Sequence, residues 1–221
     1  MAKVSPSILS ADFANLERDL RAIARSGADY IHVDVMDGQF VPNITIGMPV
    51  VRAIAQVAEL PLDVHLMIDR PVRYVEAFCK AGASMVCVHV ESDTPEQIRA
   101  ALLRIRACGC RPGLSLKPGT PAEAVLPYLE LCSMLLVMTV EPGFSGQAFL
   151  PDTMPKLAFL RRWIDTQKLH CMLEVDGGVN SHTFQTCLDH GADILVAGSA
   201  FFQAPDPAAF VRRLQGHPTR Q

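Results

Sequence analysis

Short apolar runs rich in β-branched residues alternate along this chain with longer stretches in which apolar side chains recur every three or four positions. The runs Val4–Leu9, Tyr30–Met36, Leu62–Met67, Met85–Val90, Arg111–Lys117, Leu135–Val140, Met172–Asp176 and Ile194–Ala197 read as buried parallel strands. Between them, Asp12–Arg25 carries Phe13, Leu16, Leu20 and Ile23 at helical spacing, with Asp12 placed to cap. Thr94–Ala107 opens on Thr94-Pro95-Glu96-Gln97, a cap followed by proline in the first turn. A small–Gly–small pattern recurs at Gly27, Gly82, Gly109 and Gly191, each where a helix should end, because glycine takes the left-handed C′ conformation without steric cost. Those glycines are separated by about two, one and three steps of roughly 27 residues, the length of one strand–loop–helix–loop unit. The whole chain accommodates about eight such units, which predicts an α/β fold, a (β/α)8 TIM barrel. A doubly wound open sheet would want a glycine-rich turn after the first strand, and Ser7–Asp12 has no glycine. No Pro/Gly/Ser linker divides the chain, so a single domain over residues 1–221 is expected, with the polar tail 217–221 disordered.

The alternation within three strands carries polar groups to places a core would not choose. In Ile31–Met36, the residues His32, Asp34 and Met36 share one face while Ile31, Val33 and Val35 take the other. The third strand repeats this with Asp63, His65 and Met67, and the seventh places Glu174 and Asp176 on the same side. The apolar faces suit the helix layer, so the polar ones point into the barrel. Burying carboxylates without partners costs several kcal/mol each. A divalent cation held by His32, Asp34, His65 and Asp176 removes that cost, with Zn2+, Fe2+, Mn2+ and Co2+ all compatible with two imidazoles and two carboxylates. A buried His–Asp salt-bridge network is the alternative. Glycine-rich loops after strands six, seven and eight, Pro142–Gly146, Gly177-Gly178 and Gly198-Ser199, are suited to cradling a phosphate through backbone N–H groups.

Composition narrows the class. The 221 residues are 49% hydrophobic and 19% charged, with a formal net charge of −3. That balance excludes a strongly basic nucleic-acid or anionic-membrane surface. The longest apolar runs are far too short to span a bilayer, and the N-terminus lacks a secretory apolar region, so a cytoplasmic protein is expected. The seven cysteines are scattered without a CxxC pair and read as free thiols.

The motifs Ser5–Asp12, His32–Asn43, Asp63–Met67, Val140–Gln147, Glu174–Gly178 and Ala197–Ala200 resemble, in order and over almost the whole chain, the ribulose-phosphate 3-epimerase family. The resemblance implies a barrel of the ribulose-phosphate-binding type with one divalent metal ion per subunit. It implies the reversible conversion of D-ribulose 5-phosphate to D-xylulose 5-phosphate by two-base proton transfer at C3 through a metal-stabilised ene-diolate. Carried over by position, Asp34 and Asp176 match the acid/base carboxylates, and His32, Asp34, His65 and Asp176 match the metal ligands. Ser7, His65 and Asp176 match substrate contacts, while Met36, Met67 and Met138 match pocket methionines. Gly143, Phe144, Ser145, Gly146, Gly177, Gly178, Gly198 and Ser199 match the phosphate cradle, with Ser145 standing where the family pattern usually has glycine. The implied partners are a phosphorylated ketopentose and further copies of the chain, as a dimer or hexamer.

Three other functions compete. A 3-epimerase of another ketose phosphate, such as D-allulose 6-phosphate, would share these residues. A barrel decarboxylase would want Asp-x-Lys-x-x-Asp, whereas Asp34-Val35-Met36 has methionine in the lysine position. A non-catalytic phosphosugar-binding protein would have no need of two carboxylates beside a metal. His89 and Glu91, at the end of the fourth strand, read as barrel-mouth hydrogen-bonding groups, Lys117 has no role supported by its spacing, and His170, His182, His190 and His217 read as solvated.

Overall fold

The computed structural model describes residues 1–216, so the expected tail at 217–221 and His217 lie outside the described residues. Eight strands alternate with helices: β1 (Lys3–Pro6), α1 (Leu16–Arg25), β2 (Ile31–Met36), α2 (Met48–Val57), β3 (Leu62–Met67), α3 (Val75–Lys80), β4 (Ala83–His89), α4 (Pro95–Ala107) and β5 (Arg111–Leu116). After β5 a 3-10 segment, Ala122–Leu131, replaces an α-helix; Pro127 within it lacks the N–H that an α-helical ladder needs. Then follow β6 (Met134–Met138), α5 (Met154–Thr166), β7 (Met172–Asp176), α6 (Phe184–Asp189), β8 (Ile194–Ala197), α7 (Ser199–Phe202) and α8 (Pro207–Leu214). All seven strand pairings are parallel in the order β1-β8-β7-β6-β5-β4-β3-β2. A Ser7–His32 bridge brings β1 beside β2, so the sheet curls into the barrel that the repeat spacing predicts.

The four repeat glycines adopt left-handed φ values of 81°, 113°, 81° and 97°. At Gly82 a Cβ would also stand 2.4 Å from the Ala55 Cβ, so the helix end and the neighbouring helix α2 meet only because the side chain is missing. Thr94 caps α4 as expected, while Asp12 caps a 3-10 turn (Phe13–Asn15) that precedes α1.

Two apolar layers result from the strand alternation. Outward residues such as Val33, Val64 and Leu135 join the helices in one continuous core. Inside the barrel, Tyr30, Met85, Cys87, Met134, Leu136 and Ile194 form a second cluster. Met36 and Met67 begin a third with Val41, packed against Leu9 and Phe40. All seven cysteines are free.

Four expected strand ends fall short, those of β4 and β5 by one residue each, and the changes at β1 and β6 shape the barrel mouth. β1 stops at Pro6 because the Ser7 side chain accepts the Leu9 N–H at 3.2 Å and turns the chain into the 3-10 segment Ile8–Ser10. β6 stops at Met138; just beyond it the Thr139 N–H donates to the Asp176 carbonyl at 2.8 Å and its hydroxyl donates to the Gly177 carbonyl at 2.6 Å. Thr139 thus ties the loop after β6 to the loop after β7.

A further clamp joins the loops after β2 and β3. Asp37 Oδ1 accepts the N–H groups of Gln39 and Phe40, both at 2.9 Å, and Oδ2 accepts that of Asp69 at 2.8 Å. Partial burial raises the Asp37 carboxyl, but these backbone donors outweigh it and hold the group below its ordinary range. Asp37→Ala is therefore expected to destabilise the protein by about 1–2 kcal/mol at neutral pH in urea titrations, charge-assisted hydrogen bonds at a solvated rim being screened. Because the folded-state value is depressed, the stabilisation is present above the ordinary carboxylate range and disappears as pH falls through the depressed value. Equal stability of the variant and the parent at neutral pH would remove this clamp.

Candidate active site

Strand alternation delivers the inward polar groups to one point. His32 is fully buried, with Nε2 lying 3.4 Å from Asp34 Oδ1 and 3.8 Å from Asp176 Oδ2. His65, also fully buried, presents Nδ1 at 3.3 Å from Asp34 Oδ1 and 3.8 Å from Asp176 Oδ2. One ligand atom from each of the four residues lies within 4.8 Å of the others. A tetrahedral ion with metal–ligand bonds of about 2.0–2.2 Å separates its ligands by about 3.3–3.6 Å, close to these spacings. His32 Nε2 is moreover a buried nitrogen without a hydrogen-bond partner. The donor set, its spacing and that orphaned nitrogen fit a divalent cation.

The electrostatics demand positive charge here. Burial disfavours a charged His32, but the charges of Asp34 and Asp63 outweigh it and push its pKa well up. Burial also raises Asp34, yet the His32 charge outweighs it and holds the group well below the carboxylate range. Asp176 goes the other way: burial first, then the Asp34 charge, push it up to about 6. In the metal-free site the two carboxyls are thus driven in opposite directions.

Beneath this cluster lies a layer to which the sequence assigned no role. His32 Nδ1 is 2.7 Å from Asp63 Oδ2, and a Glu174 carboxylate oxygen completes a second close group. Burial and the Asp63 charge push Glu174 well up, whereas for Asp63 the His32 charge outweighs burial and holds it down. Their position on the inner face was legible from alternation; their mutual contact depends on register between non-adjacent strands.

Above the cluster opens a cavity. Ser7, Asp34 and Asp176 reach it, and Ser7 donates its hydroxyl to Asp34 Oδ2 at 2.6 Å. Met36, Met67 and Met138 form an apolar wall. Gly143, Phe144, Ser145 and Gly146 come from the loop after β6, Gly177 from that after β7, and Gly198 with Ser199 from that after β8. His32 and His65 do not line the opening; they sit below the two carboxylates. Gly178 does not line it either: a Cβ there would stand 2.6 Å from the Phe149 nitrogen, so this glycine serves close packing of two loops. Ser10, Leu9 and Gln147 also line the cavity, and none had been assigned a role. Ser10 Oγ is buried without a partner, and a Cβ on Gly198 would stand 2.8 Å from it. Asn43, carried on the loop after β2, donates its side-chain amide to the Gly143 carbonyl at 3.0 Å, which anchors the glycine-rich loop across the mouth.

His89 is an interior group, while Glu91 keeps about a fifth of its side chain exposed and hydrogen-bonds at the mouth as expected. His89 is fully buried, with Nε2 at 2.9 Å from His65 Nε2 and Nδ1 at 3.0 Å from Glu91 Oε2. Burial pushes His89 down to about 4. Burial raises Glu91, but the hydrogen bond from His89 outweighs it and the group falls to about 2. Lys117 holds its Nζ 4.0 Å over the Phe40 ring, away from the cluster. Among the described residues, no helix is long and apolar enough to cross a membrane.

Known proteins resemble the chain at two levels. The sequence profile of the ribulose-phosphate 3 epimerase family matches residues 3–202. A ribulose-phosphate 3-epimerase of Synechocystis sp. is 47% identical over 205 residues, covering 93% of this chain and 89% of that protein. One of Bacillus subtilis is 45% identical over 217 residues, covering 98% and 99%. Among solved structures, a 3-hexulose-6-phosphate synthase superposes with a TM-score of 0.70 at 20% identity, covering 97% of this chain and 98% of that one. At that identity the likeness speaks for the barrel alone.

Proposed function

The chain belongs to the ribulose-phosphate 3-epimerase family, and from that premise we propose that it interconverts D-ribulose 5-phosphate and D-xylulose 5-phosphate by proton transfer at C3, with Asp34 and Asp176 as the two acid/base groups. As a member of that family it is an isomerase. The observation that carries the proposal is the pair of carboxylates, one on β2 and one on β7, meeting at the floor of a single cavity with two imidazoles beneath them. Inverting a carbon needs a base on one face and an acid on the other, because a single group returns the proton to the side it left.

His32, Asp34, His65 and Asp176 would hold one divalent ion, Zn2+, Fe2+, Mn2+ or Co2+. When bound, the ion supplies Lewis-acid polarisation of the substrate carbonyl, which acidifies the neighbouring C3–H. The protein's own groups do the rest. Ser7 orients Asp34 by donating to Oδ2. For one direction Asp34 receives the proton on one face and Asp176 delivers one to the opposite face; the reverse reaction exchanges the roles. Met36, Met67 and Met138 exclude water from the planar ene-diolate, whose premature protonation would waste the cycle. Backbone N–H groups of Gly143–Gly146, Gly177 and Gly198-Ser199 would receive the phosphate, with the Ser145 hydroxyl as an added donor.

Proton NMR of ribulose 5-phosphate with Co2+- or Zn2+-supplemented protein in D2O tests this. Xylulose 5-phosphate carrying deuterium at C3 is the expected product. Unchanged ribulose 5-phosphate, with turnover of a hexulose 6-phosphate instead, would overturn the substrate assignment.

A further inference from the structure

We propose that His89 and Glu91 are positioning residues that set the tautomer of His65 and so keep its Nδ1 lone pair turned toward the metal centre. The inference rests on the metal centre proposed above. His65 divides its two ring nitrogens between two partners: Nδ1 faces Asp34 and Asp176, while Nε2 faces His89 Nε2 at 2.9 Å. Two ring nitrogens at that distance form a hydrogen bond only when one carries a hydrogen and the other is bare.

Which one carries it is decided two residues further along. Glu91 Oε2 lies 3.0 Å from His89 Nδ1, and a carboxylate can only accept, so His89 Nδ1 bears the hydrogen. A neutral His89 is then bare at Nε2 and accepts from His65 Nε2–H. A neutral His65 is in turn bare at Nδ1, the atom aimed into the cluster. Ser115 Oγ, 3.4 Å from His65 Nε2, offers a weaker second acceptor on the same side. Glu91 is itself fixed, because its Oε1 accepts the Lys117 N–H at 2.8 Å and the Thr120 hydroxyl. The Phe40 ring, centred 4.8 Å from that of His89, closes the chain off from the mouth.

The same device in shorter form stands behind the other imidazole, where His32 Nδ1 meets Asp63 directly at 2.7 Å. Each imidazole of the cluster therefore has a carboxylate behind it, one at first hand and one through a second imidazole. Outer partners of this kind orient metal-binding histidines and raise their basicity.

Glu91→Gln gives the sharpest test because it changes no shape. The amide oxygen stays with the Lys117 N–H and the Thr120 hydroxyl, so the NH2 turns toward His89 Nδ1. His89 must then carry its hydrogen on Nε2, and His65 must move its own to Nδ1, where it blocks the metal. Co2+ affinity of E91Q and of His89→Ala is expected to fall about 10–100-fold, with a changed visible absorption band. His89→Gln, which can still donate to Glu91 and accept from His65, is expected to recover most of the affinity. Histidine 15N spectra of the metal-free protein should show His65 protonated on Nε2 in the parent and on Nδ1 in E91Q. Parent-like Co2+ affinity and spectrum in both E91Q and H89A would overturn the proposal, as would a metal-free parent with His65 protonated on Nδ1. A parent that takes up no Co2+ would remove the metal centre itself, and the tautomer spectra would still decide the relay.

Discussion

Replacing Asp176 with asparagine is expected to lower epimerisation about 10³–10⁴-fold while making the metal-free protein more stable at neutral pH. The gain follows from the sign of the shift. Burial and the neighbouring Asp34 charge push the Asp176 carboxyl up to about 6, so its ionised form is less comfortable folded than unfolded. A carboxyl raised in this way costs stability progressively as pH climbs from its unfolded value to about 6, and the full cost is present above that. Asparagine removes it, worth of order 1–3 kcal/mol at pH 7 and nothing near pH 3. Asp34→Asn is expected to lose turnover to the same degree but to lose stability as well. Its carboxylate is held low by the His32 charge and receives the Ser7 hydroxyl at 2.6 Å, contacts that reward the charge rather than penalise it. Thermal melts of chelator-treated protein across pH 3–8, read beside NMR turnover, measure both effects. Near-normal turnover in either variant would sink the two-carboxylate assignment, and stability changes of the same sign would sink the electrostatic account.

Stripping divalent cations with a chelator is expected to abolish turnover, and adding one back is expected to raise the melting temperature. An ion that binds only the folded state stabilises it by about 2.7 kcal/mol at a hundred times its dissociation constant. For a chain of this length that corresponds to roughly 5–10 °C. The orphaned His32 nitrogen and the ligand spacings of 3.3–3.8 Å mean that little rearrangement opposes binding. His32→Ala should lose most of the cation-dependent gain, since it removes a ligand and leaves Asp63 buried without its 2.7 Å partner. Full turnover after stripping, or melting indifferent to Zn2+, Fe2+, Mn2+ and Co2+ alike, would rule out the centre.

Alternation along three strands was enough to place His32, Asp34, His65 and Asp176 on one inner face, and glycine spacing was enough to count the barrel's repeats. Those features are legible because they depend on periods of two residues and of one strand–helix unit, both local properties of the chain. The four candidate ligand residues come together, and the three methionines and all the residues matched to a phosphate cradle except Gly178 line one cavity. Ser7 is also where its motif implies, although the strand expected to carry it ends at Pro6.

What the sequence left undecided depends on contacts between distant segments. Gly178 resembles a cradle residue yet packs under Phe149, because the path of the loop after β6 determines which of two adjacent glycines faces the cavity. His89 reads as a rim group, yet the β3–β4 and β4–β5 registers bury it against His65, while Glu91 stays at the mouth and accepts from the Lys117 N–H and the Thr120 hydroxyl. The opposite pKa shifts of Asp34 and Asp176 come from the same source. Sequence by itself determined which groups enter the barrel, since side-chain alternation is a property of each strand alone. Only the closed tertiary structure decided which nitrogen faces which oxygen and which carboxyl keeps its proton, because burial and Coulomb interactions at 3–4 Å exist only once strands from opposite ends of the chain meet.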